Sequence, residues 1–81
     1  MKATVLFIDD DPFMLKALER IARLLRPDWT ILTCHEPKGW QAVLQDVRPD
    51  IVFCDYLMPA CKGDLVLAEF RNQFPHCLRV L

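Results

Sequence analysis

The residues with the clearest capacity for chemistry are carboxylates: Asp9, Asp10 and Asp11 early in the chain, and Asp55 near its middle. Asp9 and Asp10 close the apolar run Val5-Leu6-Phe7-Ile8, and Asp55 closes a second such run, Ile51-Val52-Phe53-Cys54. Short continuous apolar runs of this kind suit strands buried on both faces of a parallel sheet. In open parallel α/β sheets, sites form beyond the carboxyl ends of the strands. If the two strands are neighbours, three acids meet at one rim. Two unit charges about 4–5 Å apart repel by roughly 4 kcal/mol at an effective dielectric near 20. The fold itself gains nothing from that repulsion, so such a gathering serves a cation. An all-oxygen ligand set selects a hard ion, and Mg²⁺ commonly joins one or two carboxylates to a phosphate. A carboxylate beside it can attack a phosphoryl group. Asp55, alone at its strand end, is the nucleophile candidate, and the pair Asp9 and Asp10 are the metal-holding candidates.

Other acids read more simply. Asp11 before Pro12 suits a helix N-cap with proline at the first helical position. Asp50 reads as a turn residue and Asp64 as a helix cap. Between Asp55 and Asp64 lies the loop Tyr56-Leu57-Met58-Pro59-Ala60-Cys61-Lys62-Gly63. There Pro59 stiffens the backbone and Gly63 permits a positive φ before the helix. The backbone carbonyl of Leu57 is a further candidate metal ligand. Lys62 reads as a solvated loop lysine within reach of a phosphoryl group.

The elements that must position these groups alternate. After the first strand, Met14, Leu18, Ile21 and Leu25 fall at helical spacing, with Leu15 and Ala22 widening the stripe, up to Pro27-Asp28. Trp29 to Cys34 reads as a second strand. Glu36-Pro37 opens a second helix carrying Trp40, Val43, Leu44 and Val47, broken at Arg48-Pro49-Asp50. The strand ending in Asp55 follows, then a third helix with Val66, Leu67 and Phe70, ended by Phe74-Pro75. Leu78 to Leu81 opens a fourth strand. The order β-α-β-α-β-α-β predicts a doubly wound parallel sheet with helices on both faces.

Bulk properties bound the reading. The 81 residues hold one domain at most, and 53% of them are hydrophobic. The net charge of −1, from 10 basic and 11 acidic residues, gives no footprint for nucleic acid. No apolar run approaches a membrane span. The carboxylates of Asp9 to Asp11 interrupt any signal-peptide reading of the first residues. The expected location is cytoplasmic. The four cysteines, Cys34, Cys54, Cys61 and Cys77, lack the close pairing of a zinc site and read as small buried hydrophobes.

With these residues in place, the chain resembles the receiver domain of bacterial two-component response regulators. The resemblance rests on Asp9-Asp10-Asp11-Pro12 and on Asp55-Tyr56-Leu57-Met58-Pro59 with Gly63, about 45 residues apart. It implies a flavodoxin-like (CheY-like) fold with strand order 2-1-3-4-5. It implies phosphotransfer to Asp55 from a histidine kinase or phosphotransfer protein, with Mg²⁺ held by Asp9, Asp10, Asp55 and the Leu57 carbonyl. The chain would then be a signalling phosphoacceptor acting on itself rather than an enzyme, with an output domain in the parent protein.

Residues 1–81 correspond to the N-terminal part of a single receiver. The hydroxyl residue after the fourth strand, the lysine after the fifth, and helices four and five all lie beyond the match. Apolar residues on the face of the first helix are therefore expected to be exposed and the fourth strand to be an edge, so the chain is expected to self-associate as a swapped or edge-paired dimer. Two rival readings remain at this level. One is a receiver-like interaction module that is not phosphorylated. The other is a fragment resembling haloacid-dehalogenase-type phosphatases, with Asp9 as nucleophile and Asp11 as acid/base, although Pro12 departs from that pattern and the reading leaves Asp55 without a role.

Overall fold

A computed structural model describes residues 2–55 and 63–80. Four strands, β1 (Thr4–Ile8), β2 (Thr30–Cys34), β3 (Ile51–Cys54) and β4 (Leu78–Val80), form one parallel sheet in the order β2-β1-β3-β4. Three α-helices connect them: α1 (Pro12–Leu25), α2 (Trp40–Leu44), preceded by a 3₁₀ turn over Pro37–Gly39, and α3 (Gly63–Gln73). The strand order matches the first four positions of the expected flavodoxin-like sheet.

Alternation along the strands divides the core. Leu6, Ile8, Val52 and Cys54 face α2 and α3, where Trp40, Phe70, Val66 and Leu67 complete a fully buried cluster. Trp40 and Phe70 pack with ring centroids 4.1 Å apart. Val5, Phe7 and Ile31 face the other way, toward Leu15 of α1. Phe7 stacks on Phe53 across the β1–β3 pair at 5.1 Å. Among the described residues α2 and α3 cover one face and α1 alone covers the other, so the two layers are unequal.

Several local expectations are revised. The second helix is one turn of α-helix shorter than its hydrophobic spacing suggests. It stops at Leu44, Gln45 turns left-handed at φ 48°, and Val47 lies outside it, exposed. The second strand begins at Thr30, not Trp29. Gly63 is itself helical, and among the described residues no glycine has a positive φ, so the glycine there serves helix entry rather than a left-handed turn. Asp64 sits within the first turn of α3 and accepts a hydrogen bond from the Leu65 amide at 3.0 Å. Asp50 does more than turn the chain. Its side chain accepts from the Thr4 amide at 2.7 Å, and its backbone bonds both Thr4 and Leu78, tying the starts of β1, β3 and β4 together.

The apolar face of α1 is exposed, as expected. Leu15 is its one buried residue, while Met14, Ile21 and Leu25 are 48%, 54% and 65% exposed. They lie on the flank of α1 that overhangs β1 and β3, where among the described residues no second helix covers the sheet. Cys34, Cys54 and Cys77 are buried free thiols, and burial raises the Cys34 and Cys77 thiols above their ordinary values. Cys61 lies outside the described residues, as do Leu57, Pro59, Lys62 and Leu81.

Candidate functional site

The site stands at the carboxyl ends of the two central strands. The sheet ladder carries one step past each strand: the Asp9 amide donates to the Cys34 carbonyl at 3.1 Å, and the Asp55 amide donates to the Ile8 carbonyl at 2.9 Å. Ile8 is paired with both Cys34 and Cys54 in register. The backbone of Asp9 and Asp55 is therefore fixed by the sheet, and their side chains emerge at the same level of neighbouring strands.

Asp10 and Asp11 follow as the chain turns into α1. The Asp11 carboxylate caps that helix, accepting from the Phe13 amide at 2.9 Å and the Met14 amide at 3.4 Å. Pro12 takes the first helical position, where no amide hydrogen is required. Asp11 also donates its own amide to the Asp9 carboxylate at 2.9 Å, which orients that side chain.

Carboxylate oxygens of Asp9, Asp10 and Asp55 lie within 4.8 Å of one another. Asp9 and Asp55 are half-buried and Asp10 is exposed. Burial pushes the Asp9 carboxyl above its ordinary value; the charges of Asp55 and Asp10 push the same way, against the Asp11 amide bond. Among the described residues, no lysine or arginine forms an ion pair with any of the three.

The donor set fits a hard cation. All three ligands are carboxylate oxygens, and their spread suits an ion that reaches some of them directly and others through its waters. The sequence-predicted Asp9, Asp10 and Asp55 are thus brought together, while Asp11 is set aside as a cap. Sequence reasoning missed the neighbouring hollow. Between α1 and β3, a cavity of about 230 Å³ is lined by Phe7, Met14, Leu18 and Phe53 together with Asp9 and Asp55. Its signal was present in the spacing of Met14 and Leu18, which was read as ordinary core.

Comparison with known proteins agrees with this geometry. Residues 5–81 match the family model of the response regulator receiver domain. The probable transcriptional regulatory protein TcrX of Mycobacterium tuberculosis is 33% identical over 73 residues, covering 89% of this chain and 30% of that protein. The hydrogenase transcriptional regulatory protein HoxA of Cupriavidus necator is 28% identical over 80 residues, covering 99% of this chain and 16% of that protein. The chain thus spans less than a third of either relative. A crystal structure of a response regulator receiver domain protein from Clostridium thermocellum superposes with a TM-score of 0.82 at 24% identity, covering 95% of this chain and 61% of that one. A parallel sheet in the order 2-1-3-4, acids converging at the ends of its two central strands, and a family match over nearly the whole length lead to one assignment: the chain belongs to the response regulator receiver domains of two-component signalling.

Proposed function

We propose that this chain accepts a phosphoryl group on Asp55 from a histidine kinase or a phosphotransfer protein, with Mg²⁺ at the acid cluster. The observation that carries the reading is the convergence of Asp9, Asp10 and Asp55 within 4.8 Å at one rim. A fold in search of stability alone would not collect three like charges there. In the transfer, a carboxylate oxygen of Asp55 attacks phosphorus and the phosphorus–nitrogen bond of the donor phosphohistidine breaks. Its electron pair returns to the imidazole, which leaves as the protein product of the donor, and an aspartyl phosphate remains. Asp9, Asp10, Asp55 and the Leu57 carbonyl are the proposed metal ligands. When bound, Mg²⁺ supplies the positive charge that offsets the carboxylates and the incoming phosphoryl oxygens.

On this reading residues 1–81 are the N-terminal part of one receiver domain, a signalling acceptor rather than an enzyme, acting in the cytoplasm. Among the described residues no helix is long and apolar enough to cross a membrane. An output domain in the parent protein accords with the far greater length of the two transcriptional regulators it resembles. The Asp11 cap disfavours the phosphatase-like alternative, because the carboxylate that would serve as its acid/base is engaged with helix amides.

Incubation with acetyl phosphate and Mg²⁺, followed by intact-mass analysis, tests the proposal. One added phosphoryl group is expected on the wild type and none on Asp55→Asn. An unmodified wild type would favour the non-phosphorylated interaction module, and phosphate-ester turnover abolished by Asp9→Asn but retained by Asp55→Asn would favour the phosphatase.

A further inference from the structure

At the opposite end of the sheet from the acids, a hollow of about 630 Å³ lies between the connection that enters β3 and the one that enters β4. Arg48, Pro49 and Asp50 form one wall, and Phe74, Pro75 and His76 form the other. The two strands are neighbours, and the structure describes both connections from end to end. Small-molecule sites typically enclose about 300–1,000 Å³, with apolar lining and a few convergent polar groups. This hollow has both properties.

Its walls are held in place by the fold. The Asp50 amide donates to the Thr4 carbonyl at 2.8 Å, its carbonyl accepts from the Leu78 amide at 2.9 Å, and its Oδ2 accepts from the Thr4 amide at 2.7 Å. Opposite it, the Cys77 amide closes a turn on the Phe74 carbonyl at 3.0 Å. Pro49, which is buried, and Pro75 restrict the two connections further. The first connection also carries strain. Gln45 and Asp46 are both left-handed, at φ 48° and 69°, and neither is glycine, which takes that conformation without steric cost. The turn they make stops α2, leaves Val47 exposed and brings Arg48 to the rim. Backbone strain of this kind gathers at ligand clamps.

The chemistry of the lining selects the ligand. Its one guanidinium and one carboxylate are Arg48 and Asp50. Arg48 has no hydrogen bond or ion pair among the described residues, and Asp50 Oδ1 has no partner there either. A guanidinium meets a carboxylate through two parallel hydrogen bonds, and a carboxylate accepts from an ammonium. Phe74 and Pro75 add apolar surface beside the two charges. A ligand that satisfies all three features is dipolar, has no net charge and carries a short apolar group.

We propose that this hollow binds a free α-amino acid with an apolar side chain. Its carboxylate lies on Arg48, its ammonium on Asp50 Oδ1, and its side chain against Phe74 and Pro75. The site is distinct from the acid cluster: Asp50 and Asp55 stand at opposite ends of β3, about 16 Å apart along the strand. The proposal goes beyond the phosphoacceptor reading and does not depend on it.

Titration of the 81-residue chain with L-leucine, followed through backbone amide NMR shifts, tests the proposal. Saturable shifts are expected at Arg48, Asp50 and His76, with a dissociation constant below about 10 mM. Isocaproate, which is leucine without its ammonium, and isoamylamine, which is leucine without its carboxylate, should each bind at least about tenfold more weakly. Arg48→Met, at an exposed position, should weaken L-leucine binding by at least about tenfold with an unchanged circular dichroism spectrum. Lys38→Met, which removes an exposed charge elsewhere, should leave binding as it is. Absence of shifts at the three residues, unaltered binding in Arg48→Met, or isocaproate binding as tightly as L-leucine (the mark of a simple anion site) would each overturn the proposal. Asp55→Asn should bind L-leucine normally, and Arg48→Met should take up a phosphoryl group from acetyl phosphate in full, so the failure of this proposal and that of the phosphoacceptor reading are separately visible.

Discussion

Replacing Asp55 by Asn tests the acid cluster through stability as well as through chemistry. The substitution removes one charge from a set whose oxygens lie within 4.8 Å, and so removes two repulsions while keeping the side chain's size. At that separation each pair is worth about 3.5 kcal/mol at an effective dielectric of 20 and about 0.9 kcal/mol in bulk water. Asp10 is exposed and the other two are half-buried, so the lower end is the better guide, and a gain of about 1–2 kcal/mol in total is expected without Mg²⁺. For a domain of this size 1 kcal/mol moves the melting temperature by roughly 4–8 °C. Adding Mg²⁺ should stabilise wild type more than the variant and so narrow or close that gap. A ligand at tenfold its dissociation constant stabilises by about 1.4 kcal/mol, and wild type should receive that increment while Asp55→Asn receives little of it. NMR titration offers a second readout: the Asp9 carboxyl, held up in part by the charge of Asp55, should titrate lower in the variant. Thermal melts with and without Mg²⁺ suffice as the assay. An Asp55→Asn protein no more stable than wild type, with the same response to Mg²⁺, would refute the shared-site argument.

Three further outcomes follow from the same geometry. Asp9 has a raised folded-state pKa, so its contribution to stability is fully present below its ordinary value of 3.8 and is lost as pH rises through the folded value; denaturant titrations of Asp9→Asn should therefore show its advantage over wild type at pH 7 and none below that value. Asp11→Ala removes the carboxylate that caps α1 and should cost about 1 kcal/mol in urea unfolding. Phe70→Ala empties a fully buried position against Trp40 and should cost about 3–5 kcal/mol, visible as a loss of cooperative melting.

Much of this arrangement was legible in the residues. Val5-Leu6-Phe7-Ile8 and Ile51-Val52-Phe53-Cys54 read as buried strands because each is hydrocarbon on both faces, and each ends in the acid that marks its carboxyl end. Their adjacency, which makes the site, came from the resemblance rather than from periodicity. The end of α2 was not legible, because Val47 continues the apolar spacing and only the left-handed turn at Gln45 stops the helix. Asp50 looked like any turn acid, since a bond from its side chain to the Thr4 amide joins positions 46 residues apart. The exposure of Ile21 and Leu25 was expected from the extent of the resemblance, not from the spacing of the stripe. A helical stripe reports which residues seek cover and is silent on whether an element stands there to give it.

The central place of β1 bears on how the chain comes to be made. β1 leaves the ribosome before both of its partners, yet it pairs on both sides, with β2 and with β3. Its inner partner ends only at Cys54, so Val5-Leu6-Phe7-Ile8 must wait until that residue has been synthesised before both its edges are satisfied. Parallel pairings at such separation form slowly, and an apolar strand left open meanwhile is prone to join another chain. The three aspartates that immediately follow it are of the charged kind that flanks unavoidable apolar strands as gatekeepers. The same carboxylates that converge at the rim of the folded sheet would then protect its central strand before the sheet exists.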